Sequence, residues 1–151
     1  MRYKAYFFCL GIISMFLGLL SILAVVLGKD SNITIVEFTS DAFRGGWGGI
    51  ILLSAGLFYV HGIKRLDDIH YRAEVFVGSG MIWIVGGCEI LRMILMSIPG
   101  EEGWLNTPEG FVSSYLPPYH PSILLLPFSL VVWMMERYYE KRGCRDSQGH
   151  K

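Results

Sequence analysis

The sequence predicts an all-α integral membrane protein, a bundle of four transmembrane helices with both termini in the cytoplasm. Two observations predict this fold class: long apolar stretches without charge, and an uneven distribution of lysine and arginine between the loops. The chain has 151 residues, of which 52% are hydrophobic and only 17% are charged, whereas a soluble domain carries about 25% charged residues. We therefore interpret residues 1–151 as one four-helix transmembrane domain.

Four apolar segments predict helices at about residues 6–27, 45–63, 75–97 and 121–139. The first is long enough to cross a membrane alone, because about 20 apolar residues span a hydrocarbon core of roughly 30 Å. The second and third approach that length. The fourth is short, and Trp133, Tyr138 and Tyr139 are placed to extend it into the headgroup layer. Pro127 lies inside this segment and is expected to kink the helix.

The first segment follows Arg2 and Lys4, as the apolar part of a secretory signal peptide would. Its apolar core is longer than the usual core of about 7–15 residues, and no clear cleavage site of small residues follows it. We therefore interpret this segment as a retained helix.

Lysine and arginine are concentrated on one predicted side of the membrane. Ten of the 13 such residues lie in the N-terminus, in the turn between the second and third helices, or in the C-terminal tail. Only Lys29 and Arg44 lie on the other side, and Arg92 lies within the third helix. Because positively charged loops stay in the cytoplasm, both termini are predicted to be cytoplasmic. The ten residues are Arg2, Lys4, Lys64, Arg65, Arg72, Arg137, Lys141, Arg142, Arg145 and Lys151.

Small residues form stripes along the first three predicted helices. Such stripes let helix backbones approach closely in lipid, where burial of apolar surface does not drive helix association. We predict that they pack a compact bundle, and contacts between copies of the chain are an equally compatible explanation for some of them. The stripes comprise Gly11, Ser14, Gly18 and Ser21 in the first helix, Gly45, Gly49 and Gly56 in the second, and Ser79, Gly80, Gly86 and Gly87 in the third.

Glu89 and Arg92 interrupt the apolar run of the third helix. A charge near the centre of a spanning helix costs about 2.5–3.5 kcal/mol, and about ten apolar residues offset two such charges. The spacing of three residues lets the two side chains pair, and Glu89 shares a face with Gly86, which directs it towards protein. Three interpretations remain: an internal ion pair that fixes helix register, a proton or cation site in the outer leaflet, and anchoring of Arg92 to lipid headgroups.

Both predicted outer loops carry features that suit an exterior location. The first loop, Lys29–Arg44, contains the possible glycosylation site Asn32 in an Asn-Ile-Thr sequon and a short β-prone stretch, TIVEFT. The second loop, Pro99–His120, contains three glutamates and no lysine or arginine. It is interpreted either as a solvated acidic loop with aromatic anchors at the interface or as a surface for a partner or a cation.

Signatures of known enzymes are absent from the sequence. It has no phosphate-binding loop, no zinc-protease motif and no serine-hydrolase elbow. The three cysteines, Cys9, Cys88 and Cys144, lie at different predicted depths, so no disulfide is expected. We therefore predict no catalytic residue, no metal site and no cofactor.

Two glycine-rich motifs in the first two helices resemble a known family. They are LGIISMFLG, which begins at Leu10, and RGGWGGIILLSAGLFY, which begins at Arg44. Both resemble the membrane-spanning four-domain, subfamily A family, which includes a surface antigen of B lymphocytes. The resemblance extends roughly to Ile98. The chain departs from it where the family often has a proline before Trp-Gly-Gly, and its second outer loop lacks the cysteine pair of some members.

The resemblance implies an oligomeric, non-enzymatic membrane protein tied to signalling or cation flux. Together with the missing motifs, it favours a multi-pass scaffold or signalling component. The alternatives are a small channel or transporter that uses the Glu89–Arg92 pair, and an accessory subunit of a larger membrane complex. The expected partners are the lipid bilayer and either further copies of the chain or another membrane protein, with no nucleic acid. The expected location is the plasma membrane or an endomembrane, or the cytoplasmic membrane of a prokaryote.

Overall fold

The computed structural model describes residues 2–33, 35–66, 68–97 and 115–148, and most of these residues are helical. Three of the helical segments are long and apolar enough to cross a membrane, judged by length and composition. This finding confirms the prediction of a helical membrane protein. The three segments are Tyr3–Leu27, Ala42–Arg65 and Ile69–Met96.

The described elements follow the predicted segments, but their ends differ. The third helix begins at Ile69 instead of 75, because the Asp68 carboxylate caps it by accepting a hydrogen bond from the His70 N–H at 3.0 Å. In chain order the elements are α1 (Arg2–Leu27), β1 (Ser31–Ile33), β2 (Val36–Phe38), a π-helical turn (Ala42–Trp47), α2 (Gly48–Gly62), a 3₁₀ turn (Ile63–Arg65), α3 (Ile69–Met96), α4 (Pro121–Ser129) and α5 (Val131–Gln148).

A glycine cap ends α1 and turns the chain. Gly28 has a φ of +61°, a left-handed conformation that glycine adopts without steric cost. Its N–H donates to the Val25 carbonyl at 3.1 Å, and the Lys29 N–H donates to the Ala24 carbonyl at 3.2 Å. This is the Schellman pattern, which satisfies the last carbonyls of the helix.

A short antiparallel hairpin follows, in the segment predicted to be β-prone. β1 pairs with β2 in a register that places Ser31 opposite Phe38. Tyr119, which precedes α4, adds to the hairpin: its N–H donates to the Ile35 carbonyl at 2.8 Å, and its carbonyl accepts from the Glu37 N–H at 2.9 Å. The hairpin therefore fixes the start of α4.

Two aspartates shape the connection between the hairpin and α2. The Asp30 carboxylate accepts a hydrogen bond from the Ser40 N–H at 2.6 Å, and this bond lowers the pKa of Asp30 below its ordinary value. The Asp41 carboxylate caps the π-helical turn by accepting from the Phe43 N–H at 3.0 Å. The turn then continues directly into α2.

The backbones of α1 and α2 touch where their glycines meet. A Cβ atom added to Gly18 would lie 2.6 Å from the Gly49 carbonyl oxygen, and one added to Gly49 would lie 2.9 Å from the Gly18 carbonyl oxygen. A Cβ on Gly45 would collide with the main chain of Thr39 and with Val25. No side chain fits at these positions, so the approach of the two helices depends on glycine.

The remaining small residues of α1 continue the same contact towards its N-terminus. A Cβ on Gly11 would lie 3.1 Å from the Gly56 carbonyl oxygen. The buried Ser14 hydroxyl donates to the Leu52 carbonyl at 2.7 Å, which links the two helices with a hydrogen bond. The buried Ser21 hydroxyl donates to the carbonyl one turn earlier in its own helix, at 3.0 Å. Small side chains therefore bring α1 and α2 into antiparallel contact.

The third helix has one packed and one open stripe of small residues. A Cβ on Gly86 would lie 2.9 Å from Cδ1 of Leu126 in α4, and Ser79 is fully buried. A Cβ on Gly80 or Gly87 would meet no atom of the described residues within 4 Å. Among the described residues, the stripe of Ser79 and Gly86 therefore packs α3 against its neighbours, whereas the stripe of Gly80 and Gly87 stays open.

Aromatic and aliphatic side chains fill the space between the helices. Phe7 stacks on Tyr59 with 5.6 Å between ring centroids. The Ser79 hydroxyl donates to the Val75 carbonyl at 3.1 Å, so the Tyr59 hydroxyl is the donor in its 2.8 Å bond to Ser79. The other buried members of this core are Leu10, Leu52, Ala55, Leu66, Ile82, Leu125, Val132 and Met135.

The segment predicted as one fourth helix is divided into two. α4 ends at Ser129, two residues after Pro127, and α5 begins two residues later and extends to Gln148. Proline removes one main-chain donor and its ring crowds the preceding turn, which favours a break close by. The Trp83 indole N–H donates to the Ser129 hydroxyl at 2.7 Å and ties this break to α3.

Two sequence predictions reach beyond the described residues. The sequon at Asn32 includes Thr34, which lies outside them. The acidic part of the second outer loop, with Glu101, Glu102 and Glu109, also lies outside them, since the described chain resumes at Tyr115.

The glycine contact between α1 and α2 predicts a contrast between two alanine substitutions. Gly18→Ala places a methyl group against the main chain of α2 and should destabilise the fold by about 1–3 kcal/mol, the usual cost of overpacking. Gly80→Ala is the matched control, because its Cβ enters open space, and should change stability by less than about 0.5 kcal/mol. Thermal unfolding of both variants in one mild detergent measures the difference. Equal melting temperatures for the two variants would contradict close contact between the α1 and α2 backbones at Gly18.

Candidate functional site

Glu89 is a buried carboxylate near the end of α3. The residue is only 6% exposed. It lies one turn after Gly86, whose missing side chain lets α4 approach. A buried charge is tolerated only when it is paired and hydrogen-bonded, so the surroundings of Glu89 have to supply cations.

The first cation comes from the same helix. Arg92 donates through Nε to Oε2 of Glu89 at 3.0 Å, and its Nη1 lies 3.2 Å from the Met96 sulfur. The Arg92 side chain keeps about a third of its surface exposed (34%). The structure therefore brings the two charged residues of the third predicted helix into direct contact.

The second cation comes from the π-helical turn. Arg44 donates through Nε to Oε1 of Glu89 at 3.0 Å and through Nη2 to Oε2 at 3.2 Å, a bidentate arrangement. Its side chain is only 20% exposed. The sequence predicts Arg44 at the end of the first outer loop, whereas the structure places it inside a helical segment and against α3. This contact joins two elements that are distant in sequence.

A second acid balances the second arginine. Nη2 of Arg44 also lies 3.6 Å from Oε2 of Glu37 in β2. We refer to Glu37, Arg44, Glu89 and Arg92 as the Glu89 network. With two acids and two bases, the network is formally neutral, and it links the hairpin, the π-helical turn and α3.

His120 lies beside this network at the start of α4. The residue is only 3% exposed, and its Nδ1 lies 2.8 Å from the Ser122 hydroxyl oxygen. A Cβ on Gly48 would lie 3.3 Å from Cε1 of the imidazole, so the ring packs against the first residue of α2. Burial lowers the pKa of His120 below its ordinary value, and the Glu89 carboxylate acts in the opposite direction.

The hydrogen bonds of Glu89 limit its chemistry. Its two oxygens accept three N–H groups from Arg44 and Arg92. Three of the roughly four acceptor sites of this carboxylate are therefore occupied, and a cation bound there would lie against two guanidinium groups. Within the described parts of the chain, no group of three or more His, Cys, Asp or Glu side chains is arranged to hold a metal ion.

Sequence reasoning found Glu89 and Arg92 but missed Arg44, Glu37 and His120. The spacing of three residues on one helix revealed the first pair. One signal for Arg44 was present: it stands at the outer end of the second apolar segment, and Glu89 lies near the outer end of the third. Two segments that run in opposite directions place such residues at similar depth. The hairpin and the start of α4 gave no comparable signal.

Polar contacts also occur at the other end of α3. Arg72 lies 3.4 Å from the Glu136 carboxylate of α5 and 5.2 Å from the ring centre of Tyr139. His61 and Glu74 form a 2.6 Å hydrogen bond at the same end. These groups are more exposed than Glu89 and hold the ends of α2, α3 and α5 together.

An apolar groove separates α1 from α4. It has a volume of about 370 Å³ and an almost wholly apolar lining. The Tyr6 hydroxyl donates its hydrogen bond to the Phe128 carbonyl at 2.8 Å, so this donor is already used within the protein. Such a lining suits a hydrocarbon chain better than a polar substrate. The lining residues are Tyr6, Cys9, Leu10, Ile13, Leu17, Leu124, Leu125 and Phe128.

Comparison with known proteins adds no relative to this description. No protein-family model, no curated protein and no solved structure matches the chain at a significant level. The resemblance of the first two helices to the tetraspan family therefore rests on the motifs quoted from the sequence.

Proposed function

We propose that this chain is a multi-pass membrane protein without catalytic activity that acts as an oligomeric scaffold or signalling component. One observation carries the proposal: Glu89, the buried acid of α3, is held by two arginines from different elements. This arrangement suits an ion-pair network that holds the helices together. It is less suited to a site that exchanges a proton or a cation.

The energetics of buried ion pairs favour this structural role. Two charges removed from water recover the cost only when their geometry is good and their remaining hydrogen-bonding groups are satisfied. Glu89 meets this condition, with three donors at 3.0–3.2 Å. A transport carboxylate has to release and rebind its ion in every cycle. Here each cycle would have to break contacts with two guanidinium groups.

The proposal includes a fourth span formed by α4 and α5, and cytoplasmic termini. Support comes from the contacts of these helices along α3: Trp83 lies against Ser129 and Trp133, and Arg72 lies against Glu136. Residues nearer the N-terminus of α3 contact residues nearer the C-terminus of α4 and α5. The α4–α5 segment is therefore antiparallel to α3. A fourth antiparallel run returns the C-terminus to the side of the N-terminus, where the basic residues are concentrated.

The open stripe of α3 supports the oligomeric part of the proposal. Gly80, Ile84, Gly87 and Leu91 follow one another at helical spacing, and both Ile84 and Leu91 are exposed. Glycines on which none of the described residues packs leave a shallow groove between larger apolar side chains. In lipid, a helix of a second copy fits such a groove closely.

The Glu89 network predicts a specific pattern of stability losses. Glu89→Gln leaves two partly buried guanidiniums without their shared carboxylate and should cost about 2–3 kcal/mol. That is below the roughly 3–5 kcal/mol for fully buried pairs, because the arginines keep some exposure. Arg44→Gln should cost more than Arg92→Gln, since only Arg44 joins two elements. The double variant Glu89→Gln/Arg44→Gln should lose less than the sum of the single losses, as measured by unfolding in mild detergent.

The same variants decide between a structural ion-pair network and a transport site. Purified protein in sealed vesicles should show no proton or cation flux that depends on Glu89. Additive stability losses, together with a pH-dependent flux that disappears in Glu89→Gln at unchanged melting temperature, would refute the structural role.

The topology makes a separate prediction. Epitope tags at the N-terminus and at the C-terminus should both be protected from protease added outside intact cells, because the basic segments stay in the cytoplasm. A tag inserted between residues 101 and 110 is the matched control and should be cleaved. Cleavage of either terminal tag in sealed cells would overturn the proposed orientation.

The open stripe predicts loss of assembly without loss of folding. Gly80→Leu combined with Gly87→Leu fills the groove on α3 and should lower the oligomeric mass in mild detergent, because the backbones can no longer approach. The melting temperature should change little, in contrast to Gly18→Ala. An unchanged mass for the double variant would show that this face meets only lipid.

A further inference from the structure

His120 sits where three separate parts of the chain meet. It follows Tyr119, whose main chain is hydrogen-bonded to β2, and it immediately precedes α4. Its ring packs on Gly48 at the start of α2. The side chain is therefore enclosed by the hairpin, α2 and the first turn of α4.

The hydrogen bonds of the imidazole define its neutral form. Nδ1 caps α4 by accepting from the Ser122 N–H at 3.4 Å, and it also lies 2.8 Å from the Ser122 hydroxyl. An accepting Nδ1 places the proton of the neutral ring on Nε2. Nε2 is buried and has no hydrogen-bond partner of good geometry among the described residues. The ring thus has one engaged acceptor and one buried donor, for which the main chain of Arg44 is an acceptor of poor geometry.

We propose that His120 is a pH-sensitive latch, whose protonation at Nδ1 releases the start of α4 from the hairpin and α2. A proton on Nδ1 abolishes the acceptor that caps the helix. It also places a positive charge at a helix N-terminus, where the helix dipole disfavours cations. The new Nδ1–H can donate to the Ser122 hydroxyl oxygen, 2.8 Å away, but the Ser122 main-chain N–H that Nδ1 caps loses its acceptor.

The charges around His120 do not reverse this outcome. The groups that face it are Glu89 from α3, Arg44 from the π-helical turn and Glu37 from β2. Burial has the largest effect and lowers the pKa of His120, and the Arg44 guanidinium acts in the same direction. Both acids and the main chain of Arg44, as a hydrogen-bond acceptor, act in the opposite direction. Both acids are also already engaged by Arg44.

The direction of the pH effect follows from this lowered pKa. The released state takes up a proton near the ordinary histidine pKa of about 6.5, and the docked state does so only at lower pH. Docking is therefore fully stable above about pH 6.5 and weakens as the pH falls below that value. In the proposed orientation, this end of the molecule faces the exterior or an organelle lumen.

Hydrogen exchange of the full chain in lipid nanodiscs tests the latch. The amides of Tyr119 and Glu37, which link the segment before α4 to the hairpin, are the reporters. Their protection, corrected for intrinsic exchange, should fall at least about threefold between about pH 7.5 and about pH 5, since each unit of pKa difference is worth about tenfold. His120→Asn keeps a capping side chain that does not titrate and should abolish the fall. His70→Asn is the control and should retain it, because the His70 side chain is almost fully exposed.

A second variant keeps the test decisive if His120→Asn does not fold. Replacing His61, His70 and His150 by Asn leaves His120 as the single histidine, so its NMR titration is assigned without ambiguity. The latch requires that loss of protection in this variant follows the titration of His120. Unchanged protection in the wild type, an equal fall in His120→Asn, or a fall with a different midpoint from that of His120 would each overturn the proposal.

Discussion

The structure depends most on the way in which a buried carboxylate is neutralised. Glu89 cannot remain charged among apolar helices unless cationic side chains pair with it. Each of the two arginines that do so restricts the position of the residue or segment that carries it. Arg92 fixes its own rotamer on α3, whereas Arg44 fixes the position of a different segment. Since Arg44 also contacts Glu37, the hairpin is drawn to the same point. One carboxylate thereby determines how three elements meet at this end of the molecule.

The glycine contact between α1 and α2 allows the hairpin, the π-helical turn and α3 to pack together around Glu89. Gly18 and Gly49 bring the two backbones together, and Gly45 then lies against Thr39 and Val25. A side chain at Gly45 would push the π-helical turn away from α1 and move its neighbour Arg44. Helix packing without side chains and ion pairing are therefore coupled along one continuous segment of the chain.

Much of the fold was predictable from the sequence, because apolar runs and stripes of small residues depend only on local spacing. The ends of the helices were less predictable, since an apolar run marks the part that meets lipid and the helix continues past it to a polar cap such as Asp68. The Glu89–Arg92 contact followed from one helical turn. Arg44 and His120 did not, because their positions depend on a bidentate contact across 45 residues and on a hairpin that pairs with Tyr119.

The two arginines that pair with Glu89 also differ in the stage of folding at which each can contact it. Arg92 can pair with Glu89 in an isolated α3, because residues three apart share a helix face. It therefore reduces the charge that this helix has to carry into lipid before any neighbour has packed. Arg44 reaches Glu89 only after α2 lies against α3, so its energy is gained on assembly of the helices. Loss of Arg92 should thus weaken insertion of the segment, and loss of Arg44 should weaken the packing of segments already inserted.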